Sequence, residues 1–289
     1  MGKASRRKGA HQKPARVPFA ARPFDGLASE TSWVALREIL PAATARLSFT
    51  YDGAEHTATV ATVLPLAWAG LCRNDGERFI ATQSGAGSGD LSRDLAAALV
   101  ATAAAEPGMP VPKTPPVTVD TPRLQDLLSD QPLELELHDG FDFWVEQDDV
   151  EDAAAVAASL EQANAAISPT EPLPAAESAY WCRIGERTYV RWVLPHGEDE
   201  ATAALARLHA AGRDSLGEGR LLGAFRTCGL LVPVWEVDAS AEAASYNEGM
   251  GELAGRFEQA LASVRAGEAL TGDERRARAG LVSRQITIR

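Results

Sequence analysis

Cysteine is scarce in this 289-residue chain: Cys72, Cys182 and Cys228 are odd in number, far apart and without CxxC spacing. That pattern excludes a disulfide framework and a cysteine zinc site, and a reducing cytoplasm is the simplest setting. No apolar run approaches the roughly 18 to 20 residues needed to cross a bilayer. The N-terminus carries charge with no hydrophobic stretch behind it, which argues against a signal peptide. Met1-Gly2-Lys3-Ala4-Ser5-Arg6 also lacks the Ser or Thr at position six of a myristoylation signal. Lysine is heavily outnumbered by arginine and alanine is abundant, a bias of GC-rich coding that is silent on mechanism.

What is present suffices for a globular protein. Hydrophobic residues make up 45% of the chain, and at about 150 residues per domain the length accommodates two. The formal charge of −12 is unevenly placed. Seven basic residues (Lys3, Arg6, Arg7, Lys8, Lys13, Arg16 and Arg22) and no acid occur up to Arg22, so setting these seven aside leaves −19 on the remainder. A basic tail hangs from an acidic body.

Residues 1–22 combine clustered charge with Gly, Ala and Pro and show no apolar period, so the expectation is a disordered tail. An α+β domain should occupy 23–106. It opens with a helix capped from Ser29–Ser32 and carrying Trp33, Leu36, Ile39 and Leu40. Alternating strands around Asp52-Gly53 follow, then a strand at Arg78–Gln83, a glycine-rich loop and an Ala-rich helix from Leu91 to about Ala104. Six prolines between Pro107 and Pro122 lock φ and remove donors, so 107–122 reads as a linker.

A second α+β domain is expected over 123–270, with a C-terminal helix or tail over 271–289. After a short helix at Arg123–Leu128, Leu133, Leu135 and Leu137 alternate with Glu134, Glu136 and His138. Asp139-Gly140 then supplies a turn before Phe141 and Phe143, so Leu133–Val145 reads as a hairpin with one wet face. Asp148 or Asp149 caps a helix bearing Ala153, Val156, Leu160, Ala163 and Ile167. A third hairpin spans Ala179–Leu194 with Gly185-Glu186 at its turn and is followed by a helix from about Glu198 to Ala211, and a fourth strand pair spans Arg220–Val237, where Pro233 suggests an edge strand. Hairpin then helix thus recurs three times. The fold class is α+β: antiparallel hairpins packed with helices in two small domains, behind a disordered basic N-terminal tail.

Few features carry chemistry. Ser84-Gly85-Ala86-Gly87-Ser88-Gly89-Asp90 lies between a strand and a helix, where backbone amides and the helix dipole bind phosphate, which makes Gly85, Gly87 and Gly89 a candidate anion or ligand loop. The loop matches neither GxGxxG nor a P-loop, however, and Asp90 puts a negative charge where phosphate would sit. A flexible turn with Asp90 as helix cap is favoured. The third hairpin places Tyr180, Tyr189, Arg187 and Arg191 on one face and Trp181, Val190 and Trp192 on the other. The first face could stack bases, but a solvated face with arginine stems over tyrosine rings is the plainer expectation. His11, His56, His138, His196 and His209 fall in different elements without metal-ligand spacing. Cys228, at a turn before Gly229, is read as inert rather than reactive. Tyr246, Met250, Leu253, Phe257, Leu261 and Val264 stripe one face of a helix from about Ala239 to Ala266, for its own sheet by default or for a homodimer seam.

The tail Met1-Gly2-Lys3 and three further segments carry a resemblance: Trp33-Val34-Ala35-Leu36-Arg37-Glu38, Asp90-Leu91-Ser92-Arg93-Asp94 and Gly229-Leu230-Leu231-Val232-Pro233-Val234-Trp235. Through them the chain resembles an actinobacterial family of unknown function over nearly its whole length. That resemblance implies a cytoplasmic protein of high-GC Gram-positive bacteria and supplies no catalytic residue. The first functional reading is a non-enzymatic adaptor whose tail, through Lys3, Arg6, Arg7, Lys8, Lys13 and Arg16, contacts RNA, the ribosome or DNA. The alternative is an enzyme or small-ligand protein with a pocket between its two domains, near Gly85–Asp90 or the third hairpin. No motif calls for a cofactor, a metal or a membrane.

Overall fold

In a computed structural model of the chain, the described residues are 17–85, 87–145 and 153–283. The elements run α1 (Glu30–Glu38), β1 (Ala43–Tyr51), β2 (Ala54–Ala61), β3 (Gly70–Cys72), β4 (Arg78–Ala81), α2 (Leu91–Ala103), β5 (Pro110–Val111), α3 (Leu124–Leu127) and β6 (Glu136–Leu137). They continue with α4 (Ala153–Asn164), β7 (Thr170–Pro172), β8 (Ala179–Ile184), β9 (Arg187–Trp192), α5 (Glu198–Ala210), β10 (Arg220–Thr227), β11 (Leu230–Val237), α6 (Asn247–Arg265) and α7 (Gly272–Ser283). The fold is α+β, with two sheets among the described residues. One is ordered β5-β3-β4-β2-β1-β6 and is antiparallel except for the β2–β4 pair. The other, β10-β11-β9-β8-β7, is antiparallel throughout.

Turn chemistry sets the registers. Tyr51 pairs with Ala54, which leaves Asp52-Gly53 as a two-residue turn with both residues at positive φ. Thr227 pairs with Leu230 across Cys228-Gly229 in the same way. Such turns match the twist of the strands they join.

Helix α1 brings the sheets together. Phe24, Trp33, Leu36 and Leu40 share one core cluster with Val60 and Ile80 of the first sheet and Tyr180, Leu230 and Val232 of the second. Arg191 donates to the Ile39 carbonyl (3.0 Å) and Thr31 Oγ1 to Glu177 (3.0 Å) across the same boundary. The opposite face of the second sheet, with Trp181, Val190 and Trp235, packs on Leu205 and Leu208 of α5 and on Met250, Leu253, Phe257 and Leu261 of α6. Each such side chain contributes about 1.5–3 kcal/mol by burial.

Four expectations are corrected by this packing. Leu133–Val145 forms no hairpin. Glu136–Leu137 pairs instead with Ala43–Thr44 of β1, while Asp142–Trp144 coil into a 3-10 turn. Phe141 and Trp144 stack there at 4.3 Å and the Trp144 indole donates to the Val63 carbonyl at 3.0 Å. The leucine alternation was a true burial signal, satisfied by the core around α1 and by pairing with β1 rather than by a second arm of the same hairpin. Hairpin then helix therefore recurs twice, not three times.

Within the proline-rich stretch 107–122, two residues join the first sheet. Pro110–Val111 is its edge strand, where a missing N–H costs nothing, and the change of sheet falls between Leu137 and Thr170. Strand β11 is interior, contrary to the reading of Pro233; that residue lies just past the Val234–Arg191 pair, where the β9 ladder ends. Finally, the Tyr180, Tyr189 and Arg191 face is not solvated. The register is as expected and Arg187 is exposed, but Tyr180 is buried in the core that includes α1 and Tyr189 in a small separate cluster with Cys182 and Val234.

Two further boundaries move. Residues 17–22, placed in the tail by composition, belong to the body: Val17 is buried, the Ala20 amide donates to the Gly89 carbonyl (2.9 Å), and Arg22 makes a two-pronged bond to Glu30 at 2.7 Å for each prong. The helix expected from Ala239 starts only at Asn247, after a 3-10 turn over Ala243–Tyr246. Lys3, Arg6, Arg7, Lys8, Lys13, Arg16 and His11, and the helix cap sought at Asp148 or Asp149, lie outside the described residues.

Candidate functional site

Strand β4 delivers the chain to the glycine-rich loop, and the loop delivers it to α2. Asp90 caps that helix, its side chain accepting from the Ser92 amide at 3.1 Å. It is only 5% exposed, and its second oxygen lies 3.3 Å from Arg93 and 3.2 Å from Arg123. One turn on, Asp94 accepts the Ser88 amide on both carboxylate oxygens, each at 3.0 Å. Two of the donors that would greet a phosphate are thus held by the protein's own carboxylates, and their charge opposes an anion. The anion reading of this loop is not supported by its geometry.

The three glycines have different reasons to be there. An added Cβ at Gly85 meets nothing within 4 Å, whereas at Gly87 it would collide with the Asp94 carboxylate. Gly89 stands at φ +107°, where a side chain is strained. The close approach at Gly87 is what lets Asp94 reach the loop.

All three glycines line a cavity of about 300 Å³. Its walls come from separate parts of the chain: Phe19–Ala21 and Pro23, Arg37 of α1, Leu91, Asp94 and Leu95 of α2, Thr114, and Cys228 at the tip of the β10–β11 hairpin. The wall at Ala21 and Arg22 is pressed against Gly229, where an added Cβ would lie 2.7 Å from the Arg22 Cβ. Gln125 and Arg123 hold the Pro23 carbonyl at 2.9 and 3.0 Å. Arg37 is held by the Thr82 carbonyl and lies 3.2 Å from Glu38. Asp94 is 6% exposed and has no ion pair with any described residue. Phe19, 81% exposed, stands at the rim.

Burial pushes the Cys228 thiol above its usual range, an effect that the Thr227 hydroxyl only partly offsets. It is a wall residue and not an activated nucleophile. Cys182 is likewise raised by burial. The described histidines are scattered and each has a local partner: His138 with Thr44 (2.7 Å), His196 with Glu258 (3.1 Å), His209 with Asp214 (2.7 Å), and His56 stacked on Phe49. Among the described residues no group of three or more His, Cys, Asp or Glu gathers as a metal site. A second hollow, of about 260 Å³, lies on the outer face of the first sheet, where Arg46 and Thr59 both reach Glu77.

Sequence reasoning reached Gly85, Gly87 and Gly89, and the structure brings them together. It missed Asp94, Arg37 and Phe19. The available signal for Asp94 was its place four residues after Asp90, which puts both acids in the first turn beside the loop.

The apolar stripe of α6 is turned inward. Met250, Leu253, Phe257 and Leu261 are at most 1% exposed within their own chain, so a homodimer through the helix at Ala239–Ala266 would need other residues. No helix of the described residues is long and apolar enough to cross a membrane.

Two antiparallel-rich sheets joined through one helix, with a cavity at a glycine-rich loop, define an α+β protein with a candidate ligand site. The chain belongs to a family of unknown function, DUF5926, which matches residues 23–289. No curated protein and no solved structure matches it.

Proposed function

We propose that this chain is a cytoplasmic small-ligand-binding protein whose site is the 300 Å³ cavity at the glycine-rich loop. One observation carries the reading: segments near residues 20, 37, 85, 94, 114 and 228 converge on one cavity that is lined by a buried carboxylate. Cavities of this size with apolar walls and a few convergent polar groups are the usual form of a small-molecule site. Reaction chemistry has less support, since the thiol in the wall is disfavoured as a nucleophile.

Gly85→Leu tests this reading, because Gly85 lines the cavity and an added Cβ there meets nothing within 4 Å, so the position has room for a side chain beside the ligand space. A fragment library screened by ligand-observed NMR against the full-length protein should yield binders that Gly85→Leu abolishes while the melting temperature stays within about 2 °C, as befits a substitution costing about 0.5 kcal/mol or less. Binders that survive the substitution would place the site elsewhere.

A second reading rests on the charge pattern. Six basic residues and no acid before residue 17, ahead of an acidic body, support contact between the tail and a polyanion such as RNA, the ribosome or DNA. Deleting residues 1–16 should then abolish salt-sensitive binding to mixed RNA and DNA. Unchanged affinity at low salt would remove this reading and leave the cavity untouched.

A further inference from the structure

The geometry points to an organic cation as the occupant of the cavity: a small primary or secondary ammonium on an apolar body, its charge seated on Asp94. This rests on the cavity being a ligand site and adds the class of ligand. Asp94 is 6% exposed, yet the only hydrogen-bond donor it has among the described residues is the Ser88 amide, shared between its two oxygens at 3.0 Å each. A carboxylate offers about four acceptor sites. One neutral amide leaves most of those sites open, and the charge otherwise meets only the positive end of the α2 dipole, so this buried carboxylate is short of the full counter-charge that a cation would supply.

Its neighbours do not complete it. Arg93 and Arg123 are directed to Asp90, and Arg37 is held by the Thr82 carbonyl and Glu38. Asp94 lines the cavity, so a ligand there can reach it. An ammonium would make charge-assisted bonds of about 2.7–2.9 Å to it. Phe19, Pro23, Leu91 and Leu95 supply apolar surface for the rest of the molecule, with Phe19 at the rim as a ring for a cation or an apolar body to meet. A multivalent metal ion does not fit, because no trio of ligating side chains gathers among the described residues. Gly87 belongs to the same device, since a side chain there would displace the carboxylate.

The test compares three probes of one shape on the full-length protein: phenethylammonium, 2-phenylethanol and 3-phenylpropionate, titrated at pH 7 while the Gly85 and Gly89 amide resonances are followed. The expected result is that the ammonium binds at least about tenfold more tightly than the alcohol or the acid. Asp94→Asn, which retains an acceptor for the Ser88 amide, should bring the ammonium to within about twofold of the alcohol. Gly85→Leu should remove all three. Equal or tighter binding of the alcohol or the acid overturns the cation and leaves the ligand site standing. Failure of all three probes overturns the cation as well, and fails the site itself only if the fragment library also yields nothing. Should Asp94→Asn fold poorly, the ranking of the three probes on the unaltered protein decides alone.

Discussion

Asp94 and Cys228 face one cavity, and their surroundings act on them in opposite ways. The carboxylate is kept close by a glycine that leaves room for it, whereas the thiol is kept protonated by burial. At neutral pH the thiolate fraction of Cys228 should therefore lie below the few per cent of a free cysteine with a pKa of about 8.5. Iodoacetamide should modify the native protein more slowly than free cysteine at pH 7.5. The rate should still be rising above pH 9, because a raised pKa moves the titration upward. Rapid modification of Cys228 at pH 7 would contradict the burial argument. Composition cannot reveal this difference, because the partners of Cys228 are Thr227 beside it and Arg37, Glu38 and Glu30 far away in sequence.

Helix α2 shows how one element serves both stability and the site. Its cap, Asp90, satisfies the Ser92 amide and neutralises two arginines that also hold the Thr121 and Pro23 carbonyls. Ser92 in turn joins α3 by bonding Gln125 (2.6 Å) and the Leu124 amide (2.9 Å). Asp90→Ala should destabilise the fold by about 2–4 kcal/mol, the sum of a lost cap and of two partly buried cations left without their buried carboxylate partner. Chemical denaturation would measure it, and a loss under 0.5 kcal/mol, roughly the scatter of surface substitutions, would refute the network. The sequence signalled this element well, since a capping residue and an apolar period are local. It signalled the Leu133–Val145 segment badly. Alternation says that one face is buried but cannot say which strand lies alongside, and the partner, Ala43–Thr44, is some 90 residues away.

Over the whole molecule, one core runs through both sheets. Tyr180, Val193, Leu230 and Val232 of the second share it with α1 and the first. Opening one sheet would expose apolar surface of the other, so the two should unfold together. Native-state hydrogen exchange read by mass spectrometry should show β1–β2 and β8–β9 losing protection at the same denaturant concentration; two separate steps would show independent domains. Periodicity, turn residues and caps are short-range properties, and from them the sequence by itself determined the α+β class, the Asp52-Gly53, Gly185-Glu186 and Cys228-Gly229 turns, and the helix behind the glycine loop. The tertiary structure alone decided the burial of the Tyr180 and Arg191 face, the inclusion of Pro110–Val111 in a sheet, and the meeting of Phe19, Arg37, Asp94 and Cys228 around one cavity. Those features depend on which surfaces meet at long range, and no local pattern encodes that choice.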